Sequence, residues 1–224
     1  MALGALFYPK GTKENPIKFE ELFIPYIYKE IYLDGLYVDI FNQKKNMVVL
    51  DIGANIGIVT QYMRPYCKKL YAIEPASEHF EALKKNKEFN HWDNVELFNL
   101  AIADKNGKMR LNTLSNNRTC HSLALDYQQG GEEVETMRID TFLEKNKIEK
   151  VDFVKMDIEG AEEAVLRGEG FRKAMDKISA IEIEFHFQNW QELVKYMLEL
   201  GYTARRYESS AIVVLFVRDW YEEK

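Results

Sequence analysis

The chain has 224 residues, a formal net charge of -6, 46% hydrophobic and 29% charged residues. That length suits one domain with short additions and enough apolar material for a full core. The acidic balance argues against affinity driven mainly by nucleic-acid phosphates, and no stretch approaches the ~20 apolar residues of a membrane-spanning helix.

Residues 1–16 carry Gly, Pro and Asn and read as a loose lead-in. Their apolar run is broken by Pro9 and Lys10 and lacks a basic start, so no signal peptide is expected. Cys67 and Cys120 are too few and too far apart for a disulfide framework or a zinc site, and read as reduced thiols of a cytoplasmic protein. The basic groups Lys84, Lys85, Lys87 and Arg205, Arg206 sit among acids and read as solvated faces.

From Phe19 to Tyr32 apolar residues recur at helical spacing, and Leu36–Phe41 has the look of a short strand. Residues 1–46 are therefore expected to form an extension with a helix on the side of the substrate, ahead of a domain over 47–224. Within that domain Met47–Asp51 is a compact apolar strand, Ile58–Tyr66 a helix, Lys69–Glu74 a strand, and Ser77 the cap of a helix running to about Phe89. Val95–Asn99 is a third strand. Strands alternating with helices predict an α/β fold with a parallel sheet covered on both faces.

The rhythm then changes. Lys108–Asn112 and Glu135–Ile139 alternate like strands, and Thr113–Gly131, rich in Ser, Asn, Gln and Gly, reads as a long functional loop carrying His121 on the substrate side. Val151–Met156, a helix over Glu162–Leu166, the strand Lys177–Phe187 and the helix Trp190–Leu200, ended by Gly201, resume the pattern. Tyr202–Tyr207 and Ala211–Val217 are joined by only Glu208–Ser210, too little for a crossover helix, so they must pair antiparallel. A mostly parallel seven-stranded sheet ending in an antiparallel hairpin is the layout of Rossmann-like methyltransferases.

Four segments carry candidate chemistry. In Asp51-Ile52-Gly53-Ala54-Asn55-Ile56-Gly57 the glycines permit a sharp turn and close approach of a ligand. A dinucleotide site would have glycine where Asp51 stands. A carboxylate there repels a pyrophosphate and suits a ligand with an amine, such as S-adenosylmethionine; a nicotinamide-dependent oxidoreductase on a similar fold is the alternative. Glu74, at the end of the second strand and followed by Pro75, is placed to accept both ribose hydroxyls, although a lone strand-end acid would mean little. Asn99–Asp104, with Ala101 at its centre, is either an adenine contact or an ordinary loop. In Lys155-Met156-Asp157-Ile158-Glu159-Gly160-Ala161-Glu162 the acids either cap a helix or face a ligand.

Alternation places Glu182, Glu184 and His186 on one face of their strand. Three polar groups there are costly to bury without partners, and His186 has the ordinary pKa range of a general base. Asp157, Glu159, Glu184 and His186 could converge on a divalent ion, but no tight ligand spacing supports one, and no metal is expected.

With DIGANIG, then Glu74-Pro75, then KMDIEGAE in order, the chain resembles the FkbM family of methyltransferases over roughly residues 47–187. The resemblance implies an S-adenosylmethionine-dependent enzyme, most often methylating oxygen on a small molecule or glycan, with RNA or protein methylation as the variant. It implies cofactor contacts from Asp51, Gly53, Ala54, Asn55, Gly57, Glu74, Ala101 and Asp157. It places an acid in the fifth strand, matched by Glu184, so that Asp157, Glu184 and His186 are the expected catalytic groups, with Glu159 and His121 toward the acceptor. Intact Asp51, Glu74 and Asp157 argue against an inert binding protein on the same fold.

Overall fold

A computed structural model describes residues 6–7, 17–18, 41, 44–114, 117–124, 130–186, 189–206 and 212–218; the side chains of 113–121 and of 206 lie outside that description. The expected helix at Phe19–Tyr32, most of Leu36–Phe41 and the link Glu208–Ser210 fall outside the described residues.

Two short strands, β1 (Leu6–Phe7) and β2 (Ile17–Lys18), pair antiparallel with each other. The domain proper begins with β3 (Met47–Ile52), followed by helix α1 (Ile58–Met63), β4 (Cys67–Ile73), helix α2 (Ser77–Phe89) and β5 (Val95–Phe98). The chain then crosses to β10 (Val151–Met156), helices α4 (Glu162–Arg167) and α5 (Glu169–Ala174), β11 (Ile178–Phe185), helix α6 (Trp190–Glu199), β12 (Thr203–Arg206) and β13 (Ile212–Val217). The sheet order is β12-β13-β11-β10-β3-β4-β5. β5, β4, β3, β10 and β11 run parallel, and β13 is antiparallel to both β11 and β12. The terminal hairpin follows from its short link, as the sequence requires.

The central strands are buried on both faces, which is why they read as unbroken apolar runs. Alternation sends successive residues to opposite sides. Val49 and Phe153 enter the core beneath α1 and α2, with Met63, Leu83 and Trp92. Leu50 and Val154 enter the core beneath the other helices, with Phe142, Leu166, Phe171 and Leu193. Phe41 adds its ring to the first core, 5.2 Å from Phe153.

Helix α6 stops as predicted. Gly201, at φ 89°, sends its N–H to Leu198 O, and Tyr202 sends its own to Met197 O, so two orphan carbonyls are satisfied. Ser77 is a correction: it is the first helical residue rather than the cap, and its hydroxyl donates to Glu132 Oε2 at 2.5 Å.

Residues 101–137 are not a loop with scattered strands. β6 (Ala101–Ile102), β7 (Gly107–Leu114), β8 (Asn117–Ser122) and β9 (Gly131–Met137) form a second sheet in the order β6-β9-β7-β8, followed by helix α3 (Ile139–Lys145). His121, expected on a long loop, stands on β8 in register with Thr113. β7 and β9 carry several exposed polar residues and pair with each other across some twenty residues, so local composition resembled a loop. No helix among the described residues is long and apolar enough to cross a membrane.

Candidate functional site

The sheet reverses its order between β3 and β10, and ligands of open α/β sheets bind beside such a switch, outside the carboxyl ends of the strands. A cleft of ≈ 570 Å³, open to solvent, lies there, walled by Gly53, Asn55, Glu74, Ala101, Asp157 and Glu159 among others.

The turn after β3 is shaped by the protein itself. The N–H groups of Gly53 and Ala54 both donate to Ile73 O at 3.0 Å. Gly53 has φ +79°, and a Cβ on it would lie 1.8 Å from Asp157 O. Gly57 has φ +91°, and its Cβ would meet Leu83 at 2.6 Å and the Trp92 ring at 2.7 Å. Both glycines are thus demanded by packing, and Gly53 lines the cleft as well. Ala54 and Gly57 stand behind the cleft wall.

Glu74 is almost wholly buried at the end of β4. Its Oε2 accepts the Asn55 N–H at 2.8 Å and its Oε1 accepts the Ala76 N–H at 2.9 Å. Asn55 can present that N–H because it sits at φ 52°, where asparagine is tolerated. Each carboxylate oxygen keeps a lone pair beyond these bonds, and the side chain lines the cleft. His79, on α2, is buried beside it with Nδ1 3.8 Å from Glu74 Oε1. No sequence motif points to His79, since only the fold of α2 against β4 brings it there.

Asp51 does not line the cleft. It is fully buried, with Thr60 donating to Oδ2 at 2.5 Å and Lys155 Nζ 3.7 Å from Oδ1. The amine it meets is that of Lys155, a residue to which sequence reasoning gave no role. Lys155 donates to Gly53 O at 2.7 Å and lies 3.2 Å from Asp157 Oδ2. Burial opposes its charge, but Asp157 and Asp51 outweigh that and hold its pKa above the ordinary value. Burial also raises the Asp51 pKa, with Lys155 and Thr60 opposing the rise. We read the pair as an ammonium that ties the turn after β3 to the end of β10.

The second sheet supplies the far wall through Leu111 and Leu123, with Ala101 and Ile102 between. Ser122 is fully buried and its hydroxyl donates to Glu159 O at 2.5 Å. It thereby pins the turn at Glu159, which holds the strained φ of 53°. The side chain of His121 lies outside the described residues.

The ends of β10 and β11 bring four acids around one imidazole. His186 Nδ1 is 3.0 Å from Glu162 Oε1, and Nε2 is 3.7 Å from each of Asp157 Oδ1, Glu159 Oε2 and Glu184 Oε1. Burial lowers the His186 pKa, but the Glu162 hydrogen bond and the neighbouring carboxylates outweigh it and bring it up to about 9. The acids thus favour the protonated form of a ring whose ordinary range suggests a free base. Burial, only partly offset by His186, pushes the Glu159 carboxyl up to about 7. Glu182, expected on the same face, is buried within the sheet beside Lys155 in register. Asp157, Glu159 and His186 offer ligand atoms within 4.8 Å of one another, a convergence that sequence spacing did not reveal.

Comparison with known proteins agrees with this geometry. The methyltransferase FkbM domain matches residues 51–204. Methyltransferase sdnD of Sordaria araneosa is 30% identical over 176 residues, covering 64% of this chain and 68% of that one. The 2-O-methyltransferase NoeI of Sinorhizobium fredii is 27% identical over 169 residues, covering 67% and 68%. Among solved structures, an rRNA methylase from Streptococcus thermophilus superposes with a TM-score of 0.53 at 12% identity, over 85% of this chain and 96% of that one. TrmK of M. capricolum, solved with S-adenosyl-homocysteine, gives 0.50 at 17% identity, over 85% and 73%. These two likenesses establish the Rossmann-like methyltransferase fold.

Proposed function

The chain belongs to the FkbM methyltransferase family, and from that premise we propose that it transfers the methyl group of S-adenosylmethionine to a hydroxyl oxygen of a small-molecule or glycan acceptor. The observation that carries this reading is the cleft running from Glu74 to Asp157 and Glu159 at the switch between β3 and β10.

The residues fit the cofactor. Glu74 is anchored by two backbone amides and keeps acceptor capacity for a ribose diol. Gly53 and Asn55 line the neighbouring wall, and the apolar Ile73, Leu100 and Ala101 suit an adenine. Asp157, which follows β10 and lines the cleft, would hold the methionine portion. Asp51 contributes through Lys155 and Thr60 rather than by contact. When bound, S-adenosylmethionine supplies an electrophilic methyl group on a sulfonium.

The chain then has two tasks. Leu111, Leu123 and Ile158 give the cleft an apolar wall, which keeps water from the reacting atoms once ligands fill it. Asp157, Glu159, Glu184 and His186 gather where a hydroxyl would stand, and a hydroxyl needs a group to take its proton as the oxygen attacks. The relative named a 2-O-methyltransferase supports oxygen as the target. The test is incubation with S-adenosylmethionine carrying a deuterated methyl group and a panel of hydroxylated acceptors, read by mass spectrometry. Label on an acceptor oxygen is expected. Label on nitrogen alone, or no binding of S-adenosylmethionine by calorimetry, overturns the reading.

A further inference from the structure

We propose that Asp157, Glu159 and His186 form a site for one divalent cation of the first transition row, placed beside the acceptor end of the cleft. The site's use in catalysis rests on the function proposed above; its existence rests on geometry alone.

The ligands come from adjacent parallel strands, β10 and β11, whose register pairs Met156 with Ile183. Asp157 and Glu159 follow the first strand and His186 follows the second. Groups at the ends of paired strands are held more firmly than groups on a free loop.

The imidazole is oriented from behind. Glu162 is fully buried, and its Oε1 accepts the N–H of Gly160 at 3.2 Å and that of Ile158 at 3.3 Å. An oxygen already accepting two amides is an acceptor toward its third neighbour as well, so His186 Nδ1, 3.0 Å away, is the donor. Nε2 is thereby turned toward Asp157 Oδ1 and Glu159 Oε2, 3.7 Å from each. Separately, Glu162 Oε2 is buried with no hydrogen-bond partner. Holding a carboxylate there is costly. A buried carboxylate behind a ring nitrogen is the usual support of a metal-bound histidine, which it orients and makes more basic.

The spacing fits a shared ion. At 3.7 Å the Nε2 contacts are too long for hydrogen bonds. Two donor atoms each about 2.2 Å from one ion, at about 115°, stand ~3.7 Å apart. One nitrogen and two carboxylates favour Mn2+, Fe2+ or Zn2+ over Ca2+, which takes oxygen alone. Three protein ligands leave coordination positions for an acceptor oxygen, and a cation lowers the pKa of a hydroxyl that reaches it. The competing account is a protonated His186 paired with the acids and no metal.

The experiment uses the full chain, stripped with chelator and titrated with Mn2+ under electron paramagnetic resonance, with S-adenosylmethionine affinity measured on the same samples. We expect one saturable Mn2+ per chain with echo modulation from a directly bound imidazole nitrogen. His186→Gln should abolish the modulation. Glu162→Gln, a milder change in a residue that only positions the ring, should weaken Mn2+ binding by about tenfold. Wild-type chain that binds no Mn2+ up to millimolar concentration, or binds it without nitrogen modulation, overturns the site, and needs no variant to fold. Methyl transfer by the metal-free chain would overturn the ion's use in catalysis while leaving the proposed function standing. Mn2+ binding without S-adenosylmethionine binding would sink the function and leave the site.

Discussion

Gly57 and Trp92 touch across the first core: a Cβ on Gly57 would stand 2.7 Å from the Trp92 ring. Trp92 is almost fully buried, and its backbone N–H is fastened to Lys87 O at 3.1 Å near the end of α2, so the ring has little room to retreat. Gly57 also holds φ +91°. Gly57→Ala therefore combines overpacking with a left-handed backbone, and should cost about 2–4 kcal/mol of stability. Denaturant unfolding measures it. A loss under about 0.5 kcal/mol, within the scatter of ordinary surface changes, would contradict this account.

Lys155→Met should be at least as damaging. It leaves Asp51, fully buried, with only Thr60, and deprives both Gly53 O and Asp157 of a donor. Breaking a buried pair from one side costs about 3–5 kcal/mol. Adding Asp51→Asn to Lys155→Met should restore part of the loss, since the stranded charge is then gone. If the double variant is no more stable than the single one, the pairing of Asp51 with Lys155 is not what the lysine provides.

Glu74→Gln should weaken S-adenosylmethionine binding by about tenfold or more while the fold persists. The amide oxygen can still accept one of the backbone N–H groups now held by the carboxylate, but the charged acceptor for the ribose is lost, worth about 1.5–3 kcal/mol. Calorimetric titration beside a thermal melt separates the two effects. Unchanged affinity would remove Glu74 from the cofactor site.

Cys67 should resist alkylation in the native chain. Burial and, secondarily, the charges of Asp51 and Asp152 push its pKa up to about 12 from an ordinary value of 9.0. The thiolate is the reactive form, so near pH 8 its population falls by about a thousandfold, and labelling should rise about tenfold per pH unit. Peptide mapping after iodoacetamide treatment at pH 7 and pH 9 distinguishes this site from Cys120. Rapid labelling of Cys67 at pH 7 would contradict the buried environment.

Much of the fold was legible because parallel strands buried on both faces leave unbroken apolar runs, as in VVLDI and VDFVKM, and because a three-residue link can only make a hairpin. Family membership also sets aside the nicotinamide alternative that the turn Asp51–Gly57 left open. Ser77 and His121 were misread for a common reason. The partner of Ser77 is Glu132, and the strand of His121 joins a separate sheet built on the pairing of β7 with β9; neither the Ser77 bond nor the β7–β9 pairing has a local signature.

The sequence by itself determined the family and put Glu74 and Asp157 directly after their strands, because a motif is a local pattern. Only the tertiary structure decided that Asp51 faces Lys155 instead of the cleft. It also decided that the glycines serve packing, and that His186 stands among Asp157, Glu159, Glu162 and Glu184. Those relations are set by strand register and by which side chains share a buried volume, and neither is written in any one stretch of chain.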